Sequence, residues 1–173
     1  MTDPLTDSTP ASGPIGPSSR FAASEPECRA EDGIYFADGR VVMLEVVDEV
    51  AHVHESTTLS ELCDDAPDDW IGLESAVRVL AGEYVVVGGG TGWEAEGWVA
   101  LLAANDDAFM WLVKLEGGEA VTSVRRDGDA IVARSEAYPF VVEWIIPIAE
   151  PEKITIERRR WAESTMGQAR VEA

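Results

Sequence analysis

Cysteine, histidine and lysine are scarce, with two of each in 173 residues. Cys28 and Cys63 lie far apart with no CxxC spacing, so neither a disulfide framework nor a cysteine-built zinc site has support, and both read as ordinary thiols. No window approaches 18 uninterrupted apolar residues, which gives no membrane-spanning helix. Residues 1–20 lack the basic start and apolar run of a secretory signal, and the expected compartment is the cytoplasm. The sequence contains no GxSxG elbow, no HExxH and no GK[ST]. Nucleophilic hydrolase, zincin and phosphate-loop chemistry therefore lack their motifs. Cys63 has Asp64 and Asp65 as neighbours, which disfavour a thiolate. Among 33 acidic residues, no carboxylate pair stands out as a glycosidase couple.

Positive charge is also thin. Thirteen Lys and Arg face 33 Asp and Glu, for a net charge of −20. Residues 1–120 hold 24 acids and 5 bases, whereas residues 121–173 hold 9 and 8. Such a chain repels polyphosphate and anionic lipid, which excludes nucleic acid and membrane surfaces as expected partners. Glu61, Asp64, Asp65, Asp68 and Asp69 place five acids within nine residues, a cluster suited to steering a basic protein into contact. Solubility or adaptation to salt accounts for the same acidity without a partner.

What is present is an ordinary core-forming composition, 46% hydrophobic, at a length that fits one domain plus tails. Residues 1–30 carry five prolines and few large apolar side chains, and read as a disordered tail. Order is expected from Ile34-Tyr35-Phe36, with a turn at Asp38-Gly39. Residues 41–54 repeat Val42, Met43, Val46, Val47, Val50 and Val53 at helical spacing; their valine content argues for a strand, and the spacing is preferred. Thr58 or Ser60 caps a second helix, with Thr58 and Glu61 spaced as a capping box, ending before Pro67. Residues 69–80 form a third helix with Trp70, Leu73, Val77 and Leu80 on one stripe.

From residue 83 the pattern turns to short β-rich runs at 84–87, 98–103, 109–115, 120–126, 130–135, 140–148 and 153–157. Gly117-Gly118 and Asp127-Gly128 mark two hairpins. The expected fold class is therefore α+β, with two to three N-terminal helices over about 41–82, then an antiparallel meander of six or seven strands over about 83–157. Residues 158–173 read as a frayed tail.

His52 and His54 are the only histidines and the candidate metal ligands, with Asp48 or Glu55 within reach in sequence as a further ligand. As HxH on a strand they would share a face, but no completing motif accompanies them, and no metal or cofactor is assigned. Gly90, Gly92 and Ala95 match GxGxxA after an apolar run. Glu94, Glu96 and the strand at Trp98 contradict a dinucleotide site, leaving a glycine hairpin that exposes Trp93 as a contact residue. Residues 41–87 resemble the opening of a winged-helix repressor, whose reading helix would here hold Arg78 among Asp68, Asp69 and Glu74, a charge pattern fit for protein and not for DNA.

Trp98-Val99-Ala100-Leu101, Phe109-Met110-Trp111-Leu112, the Asp127-Gly128 hairpin, Tyr138-Pro139-Phe140 and Trp144-Ile145-Ile146-Pro147 resemble the small acidic immunity proteins of bacterial polymorphic toxin systems over residues 83–157. That resemblance implies a non-enzymatic inhibitor that occludes a basic toxin domain. Glu61, Asp64, Asp65, Asp68, Asp69 and Trp93 are the expected partner-binding residues. A salt-adapted acidic domain, or a β domain binding a small ligand or metal through the histidines, are the alternatives.

Overall fold

The computed structural model describes residues 20–21, 26–48, 50–92, 96–115 and 119–161. Within them, β1 (Glu27–Arg29), β2 (Gly33–Phe36), β3 (Arg40–Val47) and β4 (Val50–Thr58) precede one bounded helix, α1 (Leu59–Asp65). Then follow β5 (Trp70–Ala81), β6 (Tyr84–Thr91), β7 (Gly97–Ala103), β8 (Phe109–Leu115), β9 (Val121–Asp127), β10 (Ala130–Ala137), β11 (Phe140–Pro147), a 3-10 turn at Pro151–Lys153 and β12 (Thr155–Arg160). The fold is mostly β and not α+β.

Two of the three expected helices are strands, and the reasons are local. Residues 41–54 form the β3–β4 hairpin, in which valine fits a pleated surface better than a helix. Asp48 turns the chain at φ 50°. The helical spacing marks no buried face, since Val46, Val47, Val50 and Val53 are exposed. Strand β4 also carries a bulge, where Met43 pairs with Glu55 and Leu44 with Val53, leaving His54 as the extra residue. Residues 69–80 lie mostly in β5, where Ser75 pairs with Gly89 and Val77 with Gly88, so Ala76 is extra. A one-residue bulge reverses the side-chain alternation beyond it. Leu73 thus packs in one core, while Val77 and Val79 pack against the other. With both helices gone, the winged-helix likeness falls too.

The helix expected after Thr58 is present, with Thr58 as N-cap and a reciprocal capping box to Glu61. The seven β runs from residue 84 onward are strands near their expected places. They do not form one meander. Strands β5 to β8 pair in succession, but β8 then pairs with β2, giving an eight-stranded sheet of order β1-β5-β6-β7-β8-β2-β3-β4; β9 to β12 form a second, four-stranded sheet. Asp127 pairs with Ala130 across a turn at Gly128, whose φ is +58°. The Gly117-Gly118 hairpin lies outside the described residues.

The eight-stranded sheet curls, with β9 of the second sheet against its β5 and β6 and β12 near β4. Between the sheets lies one core, including Ile34, Val99, Val113, Ile131, Trp144 and Ile146. A second core, including Tyr35, Val87, Trp98 and Leu112, covers the other face beneath α1 and Phe21. Strand β7 is buried on both faces, which explains its unbroken apolar run. At Gly97 a Cβ would stand 2.6 Å from the Trp144 ring, so glycine there lets the two sheets close. β1 and residues 158–160 of β12 lie in segments read as tails; β1 pairs with Trp70, Ile71 and Gly72 of β5.

Candidate functional site

Helix α1 and the turn that follows present the acidic cluster. Asp64, Asp65 and Asp68 are exposed and make no ion pair among the described residues. Asp64 and Asp65 occupy the last turn of α1, which holds no basic residue. Negative charge is disfavoured there by the helix dipole. The other two members of the cluster serve the fold. Glu61 accepts hydrogen bonds from Thr57 Oγ1 at 2.8 Å, the Thr58 backbone N–H at 2.9 Å and Thr58 Oγ1 at 3.0 Å. The Thr57 hydroxyl, then the two donors of Thr58, hold its carboxyl below the ordinary value. Asp69 lies 3.8 Å from the Arg29 guanidinium.

Arg29 fixes this element from below. Its side chain is fully buried, yet its donors are engaged: Nε and one terminal nitrogen contact the two Glu31 oxygens at 3.2 and 3.0 Å, and the other donates to Ala66 O at 2.6 Å. Ala66 is the C-cap of α1. The helix is therefore clamped by the capping box at one end and by Arg29 at the other, with Leu59 buried between. Arg29 is also 5.4 Å from the Trp70 ring, and Trp70 Nε1 donates to Pro67 O at 3.1 Å.

Beside this clamp a small cleft, with about 20 Å³ of free space, lies among Phe21, Glu27, Cys28, Tyr35, Trp70 and Phe109. Phe21 occupies part of it, edge-on to Trp98 at 5.9 Å and tilted against Phe109 at 5.2 Å. Arg20 stacks over Trp70 at 4.1 Å and pairs with Glu27. The cleft does not activate a nucleophile. Burial pushes the Cys28 thiol up to about 12 and raises the Tyr35 phenol well above its ordinary value, so both are protonated at neutral pH.

A second buried cation, Lys114 on β8, donates to Ala30 O at 2.6 Å and pairs with Asp32 at 3.0 Å and Glu96 at 2.9 Å. Burial opposes its charge, but Glu96 and Asp32 more than offset this and hold its pKa above the ordinary value. Neither cation was singled out by motif. The available signal was position: Arg29 is one of five bases in the first 120 residues, and Lys114 interrupts an apolar strand.

His52 and His54 are exposed on β4, His52 opposite Glu45 and His54 in the bulge. No group of three His, Cys, Asp or Glu able to hold a metal occurs among the described residues. Trp93 lies outside the described residues. Strands β6 and β7 pair as an antiparallel hairpin, and Gly88, Gly89 and Gly90 are buried within its first strand. A Cβ on Gly89 would stand 1.8 Å from Glu74 O, because the β5 bulge brings the two backbones together.

These features define a mostly β protein of two packed sheets with an acidic helical face and an adjoining aromatic cleft. No family model matches the chain, and comparison with curated proteins and with solved structures gives no match. No helix among the described residues is long and apolar enough to cross a membrane.

Proposed function

We propose that the chain is a non-enzymatic binding domain that presents Asp64, Asp65 and Asp68 to a basic protein in the cytoplasm, in the manner of an immunity-type inhibitor of a basic toxin. The supporting observation is that these three carboxylates are exposed and without an ion-pair partner among the described residues, on an element clamped at both ends. Two of them sit where the helix dipole disfavours them. Local rules are broken in this way where a surface answers to something other than stability. Preorganisation matters, because a rigid acidic face loses less entropy on docking than a mobile one. Glu61 and Asp69 support the face and do not form its contact surface.

The test is capture from host lysate at low salt by the tagged chain and by its Asp64→Lys/Asp65→Lys/Asp68→Lys variant. The expected result is one basic protein recovered in stoichiometric amount by the unaltered chain, released as salt rises, and lost from the variant. Equal recovery by a folded variant would sink this assignment. A variant that gains stability while no partner appears with either chain would favour acidity as salt adaptation.

A further inference from the structure

We propose that the aromatic cleft beside α1 recognises a segment of another protein carrying a cation next to an aromatic ring, and that Arg20-Phe21 fills it in cis as a placeholder. This goes beyond the acidic-face reading and uses none of Asp64, Asp65 or Asp68, so the two succeed or fail separately. The cis pair displays the chemistry that fits. Phe21 lies against the rings of Trp98 and Phe109, while Arg20 covers the Trp70 face at 4.1 Å and meets the Glu27 carboxylate. An aromatic ring in an apolar slot beside a cation on an indole face is the pairing that anchors protein contacts.

The placeholder fits incompletely. Arg20 Nε is buried without a hydrogen-bond partner among the described residues, and a gap of about 20 Å³, room for a single water, remains beside Phe21. The receiving side is set in advance. Trp70 is held by its bond to Pro67 O, and Arg29 is neutralised by Glu31 and spends its donors within the chain. Glu27, at the rim, is then the carboxylate to which an incoming cation is drawn. A chain of net charge −20 favours such a cation's approach at long range.

The experiment titrates an acetylated, amidated Gly-Arg-Phe-Gly peptide into the full chain and into Phe21→Ala, following the Trp70 indole N–H resonance. Removing the cis competitor is expected to tighten binding about tenfold or more, as for any site freed of an internal occupant. The peptide with Glu in place of Arg is expected to bind neither protein. A folded Phe21→Ala that binds no tighter than the unaltered chain overturns the proposal, as does equal binding of the Glu peptide. Should Phe21→Ala fail to fold, Arg20→Glu takes its place, since it removes the pair with Glu27 and leaves the ring. Tighter peptide binding by that variant supports the proposal, and unchanged binding overturns it.

Discussion

Lys114 holds Glu96 at 2.9 Å in a site where the lysine side chain is only 1% exposed. Glu96, Asp32 and Ala30 O supply one acceptor for each ammonium proton of Lys114, tying the β1–β2 connection and the approach to β7 onto β8. Lys114→Met removes the buried cation that Glu96 and Asp32 share and is expected to cost about 3–5 kcal/mol. Urea unfolding checks the loss. Adding Glu96→Gln should recover part of it, and failure to do so would show that the damage is steric.

Arg29→Met removes the buried donor to Ala66 O and the partner of Glu31. The expected loss is about 3 kcal/mol. Amide exchange should rise first in α1 and the turn before β5, because Arg29 closes the C-terminal end of that helix. Uniform acceleration across both sheets would instead mean that Arg29 serves the whole core.

Thr58→Ala opens the capping box. A cap of this kind is worth about 1 kcal/mol, and thermal unfolding measures it. Thr57→Ala is expected to cost less, since the Thr57 hydroxyl bonds only the Glu61 carboxylate and leaves the orphan amides of the helix capped.

Alkaline stability follows from the buried thiol. Cys28 has its pKa moved by burial from 9.0 to about 12, so above pH 9 the folded chain keeps a proton that the unfolded chain releases. Stability is therefore full below pH 9 and falls as pH rises toward 12. The slope approaches about 1.4 kcal/mol per pH unit, or about 2 kcal/mol lost by pH 10.5. Urea unfolding of Cys28→Ala between pH 9 and 10.5 should show a shallower slope. An unchanged slope would assign the effect to another group, Tyr35 first.

The back half of the chain is legible because its strands are short, apolar and separated by turn residues such as Asp127-Gly128. The capping box at Thr58 is legible for a similar reason: its chemistry is local. The front half is misleading because a bulge is set by the partner strand. Ala76 shifts the alternation of β5 by one, and the resulting spacing imitates a helix turn, while Val46, Val47, Val50 and Val53 are exposed and mark no buried face. The acidic cluster was visible as composition, but its division into supporting and exposed members depends on Thr57, Thr58 and Arg29. The cleft was hidden altogether, since Arg20 and Trp70, which stack in it, are distant in sequence.

The pairing of β2 with β8 carries a kinetic consequence. Ile34 stands opposite Val113, so the seam at the middle of the larger sheet joins segments separated by most of the folded chain. The β5–β8 meander can assemble from neighbours, but its β8 edge stays open until β2 arrives. Non-local closure of this kind places a β protein among the slow folders, at milliseconds to seconds. During that interval the unpaired edge of β8, with Trp111 and Leu112 on it, is the chain's main exposure to aggregation.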